Sequence, residues 1–196
     1  MPQRNKKTPR TTNQLRIIGG LNRGRKLSFP DGEGLRPTTD RIRETLFNWL
    51  QTSIAGAHCL DLFAGSGALG LEALSRGASS ATFVDTNPRA IAFLAKNIDI
   101  LGFENTALVK SSSLDWLAQT GTQLFDLVFV DPPFGQQMLE QSVQRLTKGS
   151  WLSDHAQIYL ESELDLSEMT WPPMWQLVRH KRAGNVYYGL LSKQYE

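Results

Sequence analysis

From residue 58 onward, short apolar segments alternate with longer segments whose apolar residues recur every three to four positions. The short segments have the length and composition of β-strands, and the longer ones have the periodicity of amphipathic helices. Strands joined by helices pair in parallel, because the helix returns the chain to the starting edge of the sheet. We therefore predict an α/β fold with a mostly parallel, seven-stranded sheet and helices on both faces. The last two strands, around residues 182–185, form an antiparallel hairpin at its edge.

Residues 1–57 do not follow this alternation. Residues 1–14 are polar, basic and aperiodic, which is typical of a disordered tail. Residues 15–57 contain two short strand-like segments around a glycine-rich turn, a β-hairpin, followed by a helix with the sequence RIRETLFNWLQTSI. We expect this helix to bury one face and to expose Arg41, Arg43 and Glu44 on another. Residues 58–196 form the α/β domain.

Charge is unevenly distributed along the chain. Residues 1–43 carry eleven Lys or Arg and three Asp or Glu, whereas residues 44–196 carry ten and sixteen. A basic segment on an acidic body indicates a polyanionic partner that binds at one end. The single cysteine, Cys59, precludes an internal disulfide and fits a buried position in a reducing compartment. No apolar run approaches the roughly 20 residues that span a bilayer, so we expect a cytoplasmic protein without membrane contact.

The segment LDLFAGSGALG places Gly65, Gly67 and Gly70 in the G-x-G-x-x-G spacing of nucleotide-binding loops. A tight strand-to-helix turn without a ligand could require the same glycines. Asp61 precedes the loop, where a carboxylate would repel a pyrophosphate but attract the ammonium and sulfonium groups of S-adenosylmethionine. Asp85 ends the next strand, where it can accept both ribose hydroxyls of any adenosine cofactor.

A second motif, FVDPPFG, ends the fourth strand of the alternation. Pro132 and Pro133 set a stiff turn, so that the Asp131 carboxylate and the Pro132 carbonyl can accept both hydrogens of a planar NH2 group. Phe134 can stack on the ring that carries this amine. Such an amine is a poor nucleophile. In-line transfer of a methyl group from a sulfonium to this amine nevertheless needs little more than the geometry described here and a site without water. The two motifs together predict an S-adenosylmethionine-dependent methyltransferase.

The glycine loop, the FVD strand end and FVDPPF together resemble class I S-adenosylmethionine-dependent methyltransferases, which have a Rossmann-like fold. RIIGGLNRGRKL and LRPTTDRIRETLFNWL further resemble the bacterial methyltransferase D family, whose members methylate N2 of one guanine in 16S ribosomal RNA. The resemblance extends from about residue 15 to the final hairpin. It implies an RNA-binding extension at residues 15–57 and an S-adenosylmethionine-binding catalytic domain at residues 58–196. The implied partner is 16S ribosomal RNA within a small-subunit or assembly particle.

This resemblance assigns roles to residues at matching positions. The implied contacts of the cofactor are Asp61, Phe63, Ala64, Gly65, Ser66, Gly67, Asp85, Ser112 and Ser113. The implied contacts of the target base are Asp131, Pro132, Pro133 and Phe134. We expect basic residues of the extension to contact RNA phosphates and fix the register, namely Arg16, Arg23, Arg25, Lys26, Arg36 and Arg41. Arg36, Thr38 and Thr39 are implied to border the cofactor or RNA entrance.

Three alternatives remain open. An NAD(P)-linked oxidoreductase could use the same glycine loop, although none of the three histidines lies in a motif for a proton donor. A non-catalytic RNA-binding or assembly factor would be expected to have lost the glycine loop or the DPPF turn, and both are intact. An adenine N6-methyltransferase shares the DPPF signature. We expect no metal, because His155 and His180 lack ligand spacing with Cys59, and we expect a monomer.

Overall fold

The computed structural model describes residues 12–30, 38–121, 123–135 and 137–194, so Arg36 and most of the expected tail lie outside the described residues. The extension contains β1 (Thr12–Arg16), β2 (Lys26–Pro30) and α1 (Asp40–Trp49). The first half of the α/β domain contains β3 (His58–Asp61), α2 (Ala68–Ser75), β4 (Ser80–Asp85), α3 (Pro88–Leu101), β5 (Thr106–Lys110) and α4 (Ser113–Leu117). The second half contains β6 (Phe125–Val130), α5 (Met138–Lys148), β7 (Leu152–Ser162), a 3-10 turn (Leu166–Glu168), β8 (Trp175–Ala183) and β9 (Val186–Lys193).

Seven strands form one sheet in the order β5-β4-β3-β6-β7-β9-β8. Strands β3 to β7 are parallel, β9 is antiparallel to β7, and β8 is antiparallel to β9. The order reverses beside β3, which pairs with both β4 and β6, and ligands of such sheets bind outside the carboxyl ends of the strands at this point. We call the edge where β3 to β7 end the carboxyl rim. The predicted α/β fold is confirmed.

The core consists of one apolar layer on each face of the sheet. One layer contains buried residues of β1, β2, α1, α2 and α3, and the other contains buried residues of α4, α5 and the 3-10 turn. The N-terminal hairpin is antiparallel, with Leu15 opposite Leu27, and both side chains belong to the first layer. Strand β1 begins at Thr12, three residues before the expected start of the hairpin. The hairpin is therefore packed onto the α/β domain.

Arg43 is fully buried, so the expectation that it lies on an exposed face of α1 is wrong. Its Nη2 donates to Arg16 O at 2.8 Å and to Asp40 Oδ1 at 2.6 Å, and its Nη1 donates to Glu72 Oε2 at 3.4 Å. Glu72 in α2 is also buried and accepts the Ile18 N–H at 2.9 Å. The opposite charges of Arg43 and Glu72 compensate the burial of each side chain, and their bonds join the hairpin, α1 and α2.

Three further expectations concern single features. Cys59 is buried as expected, and burial raises the pKa of its thiol, which leaves it unreactive. None of the described helices is long and apolar enough to cross a membrane. Among the described residues, no group of three or more His, Cys, Asp and Glu side chains is arranged to hold a metal ion.

Candidate active site

The loop between β3 and α2 has the backbone geometry that its glycines permit. Gly67 precedes α2 with φ of 78°, a left-handed conformation that costs other residues about 1–2 kcal/mol. A Cβ at Gly70 would collide with the ring of Phe83 in β4, so this glycine allows α2 to pack closely on the sheet. The loop closes through a hydrogen bond of 2.6 Å from Gly67 N to Ala64 O. The other loop residues expected at the cofactor are half-buried or buried: Phe63, Gly65 and Ser66.

Asp61 lies at the end of β3, directly beneath this loop. Its side chain is 3% exposed, and Oδ2 accepts the N–H of Gly70 at 3.0 Å. Burial raises the pKa of Asp61 to about 7, with a smaller contribution from the charge of Asp85, although the bond from Gly70 opposes the shift. A carboxylate held out of water in this way favours a cationic ligand and disfavours a pyrophosphate.

Asp85 and two serines lie at the carboxyl rim, at the ends of β4 and β5. The Asp85 carboxylate accepts the N–H groups of Gly65 and Asn87, both at 2.7 Å, and these bonds fix its orientation. A carboxylate has further lone pairs, so Asp85 can still accept hydroxyl groups. Ser112 caps α4 with its side-chain oxygen. Ser113 Oγ is buried without a hydrogen-bond partner, a condition that a polar ligand group would correct.

The DPPF turn follows β6 at the same rim. Pro132 is buried, whereas Pro133 and Phe134 are exposed, and Phe134 has 49% of its surface accessible. Gly135 has φ of 77°, and its N–H donates to Glu163 at 2.9 Å, which holds the end of the turn. An exposed aromatic ring beside a half-buried aspartate provides a surface on which a planar base can stack.

Asp131 belongs to a side-chain network that the sequence did not predict. The Thr38 hydroxyl donates to Glu161 Oε1 at 2.9 Å and lies 3.5 Å from Asp131 Oδ2. The Tyr159 hydroxyl donates to the same Glu161 oxygen at 2.8 Å. Thr38, Tyr159 and Glu161 are all buried. Thr38 therefore connects the N-terminal extension to the DPPF turn and to β7.

The network changes the acid–base properties of Asp131. Burial, and then the charges of Glu161 and Asp61, raise its pKa well above the usual value, while the contact with Thr38 opposes the shift. Burial also raises the pKa of Glu161, although its bonds from Tyr159 and Thr38 oppose this. Two neighbouring carboxyls, one buried and one half-buried, do not both ionise readily, so the pair retains a proton to a higher pH than either group in water. Asp131 is therefore a stronger proton acceptor than an ordinary aspartate.

The turn of the basic hairpin lies away from this rim. Leu21 N donates to Ser75 O at 2.7 Å, at the end of α2, and Arg25 Nη2 donates to Ile100 O at 3.1 Å, near the end of α3. A helix that follows a parallel strand begins at the carboxyl rim and ends near the opposite edge of the sheet. Arg23 and Arg25 are therefore near the edge opposite to the DPPF turn.

The other basic residues expected to contact RNA are dispersed. Arg16 is exposed and forms an ion pair of 3.2 Å with Asp40. Lys26 is exposed on β2, and Arg41 is exposed on the first turn of α1. The structure therefore gathers the expected cofactor and base residues at one rim. Arg16 and Arg41 lie near it, because Asp40 and Arg41 follow closely after Thr38, whereas Arg23 and Arg25 do not.

Known proteins resemble this chain over most of its length. The family model described as Conserved hypothetical protein 95 matches residues 15–192. The Ribosomal RNA small subunit methyltransferase D of Escherichia coli (strain K12) is 51% identical over 181 residues, which cover 92% of this chain and 91% of the relative. That of Haemophilus influenzae is 46% identical over 186 residues, which cover 93% and 96%. A solved chain from Escherichia coli is 50% identical with a TM-score of 0.85, and the match covers 94% of this chain and 100% of that chain.

The chain belongs to the methyltransferase D family. This membership confirms the resemblance predicted from the glycine loop, the DPPF motif and the RPTTDRIRETLFNWL segment. It also confirms the expected activity class, a methyltransferase with a Rossmann-like fold. Glu161 and Tyr159 are the site residues that the sequence analysis missed.

Proposed function

We propose that this chain transfers a methyl group from S-adenosylmethionine to the exocyclic N2 of a guanine in 16S ribosomal RNA, in the cytoplasm. The observation that carries the proposal is the juxtaposition of two features on adjacent strands at the carboxyl rim. The glycine loop with Asp61 ends β3, and the DPPF turn with Asp131 ends β6, which pairs directly with β3. Residues 58–196 supply this catalytic domain, and Thr38 of the extension completes its network.

The described residues fit S-adenosylmethionine on three independent grounds. Asp61 is a buried carboxylate whose ionisation a nearby ammonium or sulfonium would favour. Asp85 has an oriented carboxylate with capacity for ribose hydroxyls, and Ser113 has a buried hydroxyl without a partner. When bound, this cofactor supplies an electrophilic methyl group on a sulfonium.

The DPPF turn binds and orients the target amine. Asp131 and the Pro132 carbonyl each accept one N–H of the guanine N2 group, and Phe134 stacks on the ring. Clamping the ring and holding both hydrogens turns the nitrogen lone pair toward the donor, so the main contribution of these residues is geometric. The nitrogen carries an extra proton after it has gained the methyl group. That proton passes to Asp131, whose raised pKa favours acceptance, or to water.

The direct test uses small-subunit RNA and small-subunit particles from cells that lack this chain. We expect the wild-type protein to methylate one nucleotide, and mass spectrometry of the digested RNA to identify it as N2-methylguanine. Asp131→Ala should abolish transfer while the affinity for S-adenosylmethionine stays nearly unchanged, because Asp131 contacts the base and not the cofactor. N6-methyladenine in the digest, or wild-type turnover by Asp131→Ala, would refute the proposal.

Cofactor titration separates this function from an oxidoreductase. Isothermal titration with S-adenosylmethionine, NAD and NADP in parallel should give binding only for the first. Methylation assays with small-subunit particles and with naked RNA, run side by side, also show which of the two substrates the chain recognises. Tight NAD binding without S-adenosylmethionine binding would contradict the role assigned to Asp61.

A further inference from the structure

Strand β8 carries a second concentration of positive charge, outside the N-terminal extension. Residues 44–196 contain ten Lys and Arg in all, and three of them lie among four consecutive positions of this strand. We call these four residues the cationic edge: Arg179, His180, Lys181 and Arg182. All four are exposed, and β8 is the outermost strand of the sheet. None of the ion pairs between described residues involves them.

The cationic edge lies at the end of the sheet that carries the candidate active site. Strand β8 runs in the same direction as β7, so its last residues approach the carboxyl rim. Arg182 pairs with Tyr187 in β9, and Tyr187 pairs with Ser162, the residue after Glu161. Adjacent strands are about 4.8 Å apart, so β8 lies about 15 Å from β6, the strand that leads to Asp131.

One side chain of the cationic edge is already fixed at the tip of the hairpin. The Arg182 guanidinium lies 5.0 Å from the centre of the Tyr187 ring, and its Nε donates to Gly184 O at 2.9 Å. Nearby Asp165 has a pKa that is lowered first by its bonds from Ser167 and then by the charges of His180 and Arg182. This acidic neighbour offsets part of the charge on that face of β8.

Arg179 and Lys181 lie on the opposite face of β8. Directly paired residues of two strands share a face, and Lys181 pairs with Tyr188, which is buried and stacks on Trp49 of α1. Arg179 is two residues earlier and therefore has the same orientation. These two exposed cations have no charged partner among the described residues, so an external polyanion can bind them at full charge.

We propose that the cationic edge binds phosphates of the ribosomal RNA strand that carries the target base. The proposal rests on the function proposed above, which supplies the RNA. It places cations on the β8 side of the candidate active site, whereas Arg23 and Arg25 in the turn of the basic hairpin lie near the opposite end of the strands. Arg179 and Lys181 give the RNA a second anchor, on the same rim as the base-binding turn. Two anchors at a distance from each other fix the register of the strand across the site.

Charged residues on an edge strand also prevent unwanted pairing with strands of other molecules. The experiment therefore has to separate RNA binding from the protection of an exposed edge. Arg179→Gln/Lys181→Gln removes two cations from the edge, and Lys96→Gln/Lys148→Gln removes two exposed cations from α3 and α5 as a charge-matched control. Arg179→Glu/Lys181→Glu keeps the edge strand charged, so the strand remains protected against pairing with other molecules. The two glutamates, however, repel phosphate.

The measurements are the dissociation constant for small-subunit RNA at several salt concentrations and the steady-state constants of methyl transfer. The logarithm of the association constant falls linearly with the logarithm of the salt concentration. Loss of two phosphate contacts makes this slope less steep by about 1.4 to 1.8. The advantage of wild type over Arg179→Gln/Lys181→Gln should then shrink about tenfold between about 50 and about 200 mM salt. We expect KM for RNA to rise, with kcat at saturating RNA and S-adenosylmethionine affinity unchanged. The glutamate pair should bind RNA more weakly still, and the control should match wild type.

The outcomes distinguish the two proposals. If wild type methylates the RNA but the salt slope is the same in all four proteins, the cationic edge has no role in binding and only this inference is overturned. Equal losses in the control and the edge variant also overturn it, since they show an effect of net charge alone. If wild type neither binds nor methylates the RNA, both proposals are overturned. A glutamate pair that is soluble and binds RNA like wild type would assign the edge charges to protection against aggregation.

Discussion

The raised pKa of Asp61 predicts that the affinity for S-adenosylmethionine depends on pH. The free protein holds a proton on Asp61 up to a pH of about 7, compared with 3.8 for an ordinary aspartate. The ammonium of the cofactor favours the ionised carboxylate, so binding at low pH has to displace the proton. Affinity should therefore increase with pH and level off above about 7.

The magnitude follows from these two values. With a pKa of about 7 in the free protein and an ordinary value in the complex, the dissociation constant should be about 70-fold larger at pH 5 than at pH 7.5. At pH 6, binding should release about 0.9 proton per cofactor. Isothermal titration in two buffers with different ionisation enthalpies measures both the constant and the number of protons.

Two variants provide the controls for this experiment. Asp61→Asn still accepts the Gly70 N–H but cannot ionise, so its affinity should be weaker and independent of pH between 5 and 7.5. Asp85→Asn should lower the affinity at every pH and keep a pH dependence, whose midpoint moves to lower pH because the charge of Asp85 helps to raise the pKa of Asp61. A dissociation constant that is constant over this range in wild type, or a slope that survives in Asp61→Asn, would refute the reasoning.

Three other substitutions test the network, the base platform and the buried ion pair. Glu161→Gln keeps an acceptor for Tyr159 but removes a charge that raises the pKa of Asp131, so the acidic limb of the kcat–pH profile should move to lower pH; an unchanged limb would contradict the coupling. Phe134→Ala removes a stacking surface worth about 1–3 kcal/mol per base, so kcat/KM for RNA should fall about 5- to 150-fold, whereas the free energy of unfolding should not change because the ring is exposed. Arg43→Met removes the bonds of Arg43 to Glu72 and to Arg16 O, whereas Glu72 keeps its ion pair of 2.7 Å with Arg76, so the free energy of unfolding should fall by about 1–3 kcal/mol in urea titrations; no measurable loss would show that Arg43 is dispensable.

Much of this architecture could be predicted because the information is local in sequence. The strand–helix alternation, the glycine loop and the DPPF turn each depend on residues close together in the chain. The final hairpin was expected with a turn at residues 182–185, and its strands do meet across Gly184 and Asn185. Local patterns of this kind fix backbone geometry directly.

Contacts between distant segments were harder to predict. Glu161 meets Thr38 across 123 positions, so nothing in the local sequence indicates the pair. A signal was nevertheless present, since Glu161 interrupts an apolar strand near its carboxyl end, as Asp61 does. The charge of Arg43 indicates an exposed position, whereas its place in the helix indicates a buried one. Arg43 lies three and four residues before Leu46 and Phe47, which places it on the buried face of the helix.

The Arg43–Glu72 pair determines how this protein can be dissected. Deleting residues before Thr38 would take away the backbone oxygen of Arg16 and the N–H of Ile18, which these two charged side chains bind inside the protein. Arg43 and Glu72 would keep fewer hydrogen-bond partners, and the apolar layer that Leu15, Leu27 and Phe29 help to form would be uncovered. The extension therefore contributes to the interior of the protein, and we expect that deleting it would destabilise the α/β domain.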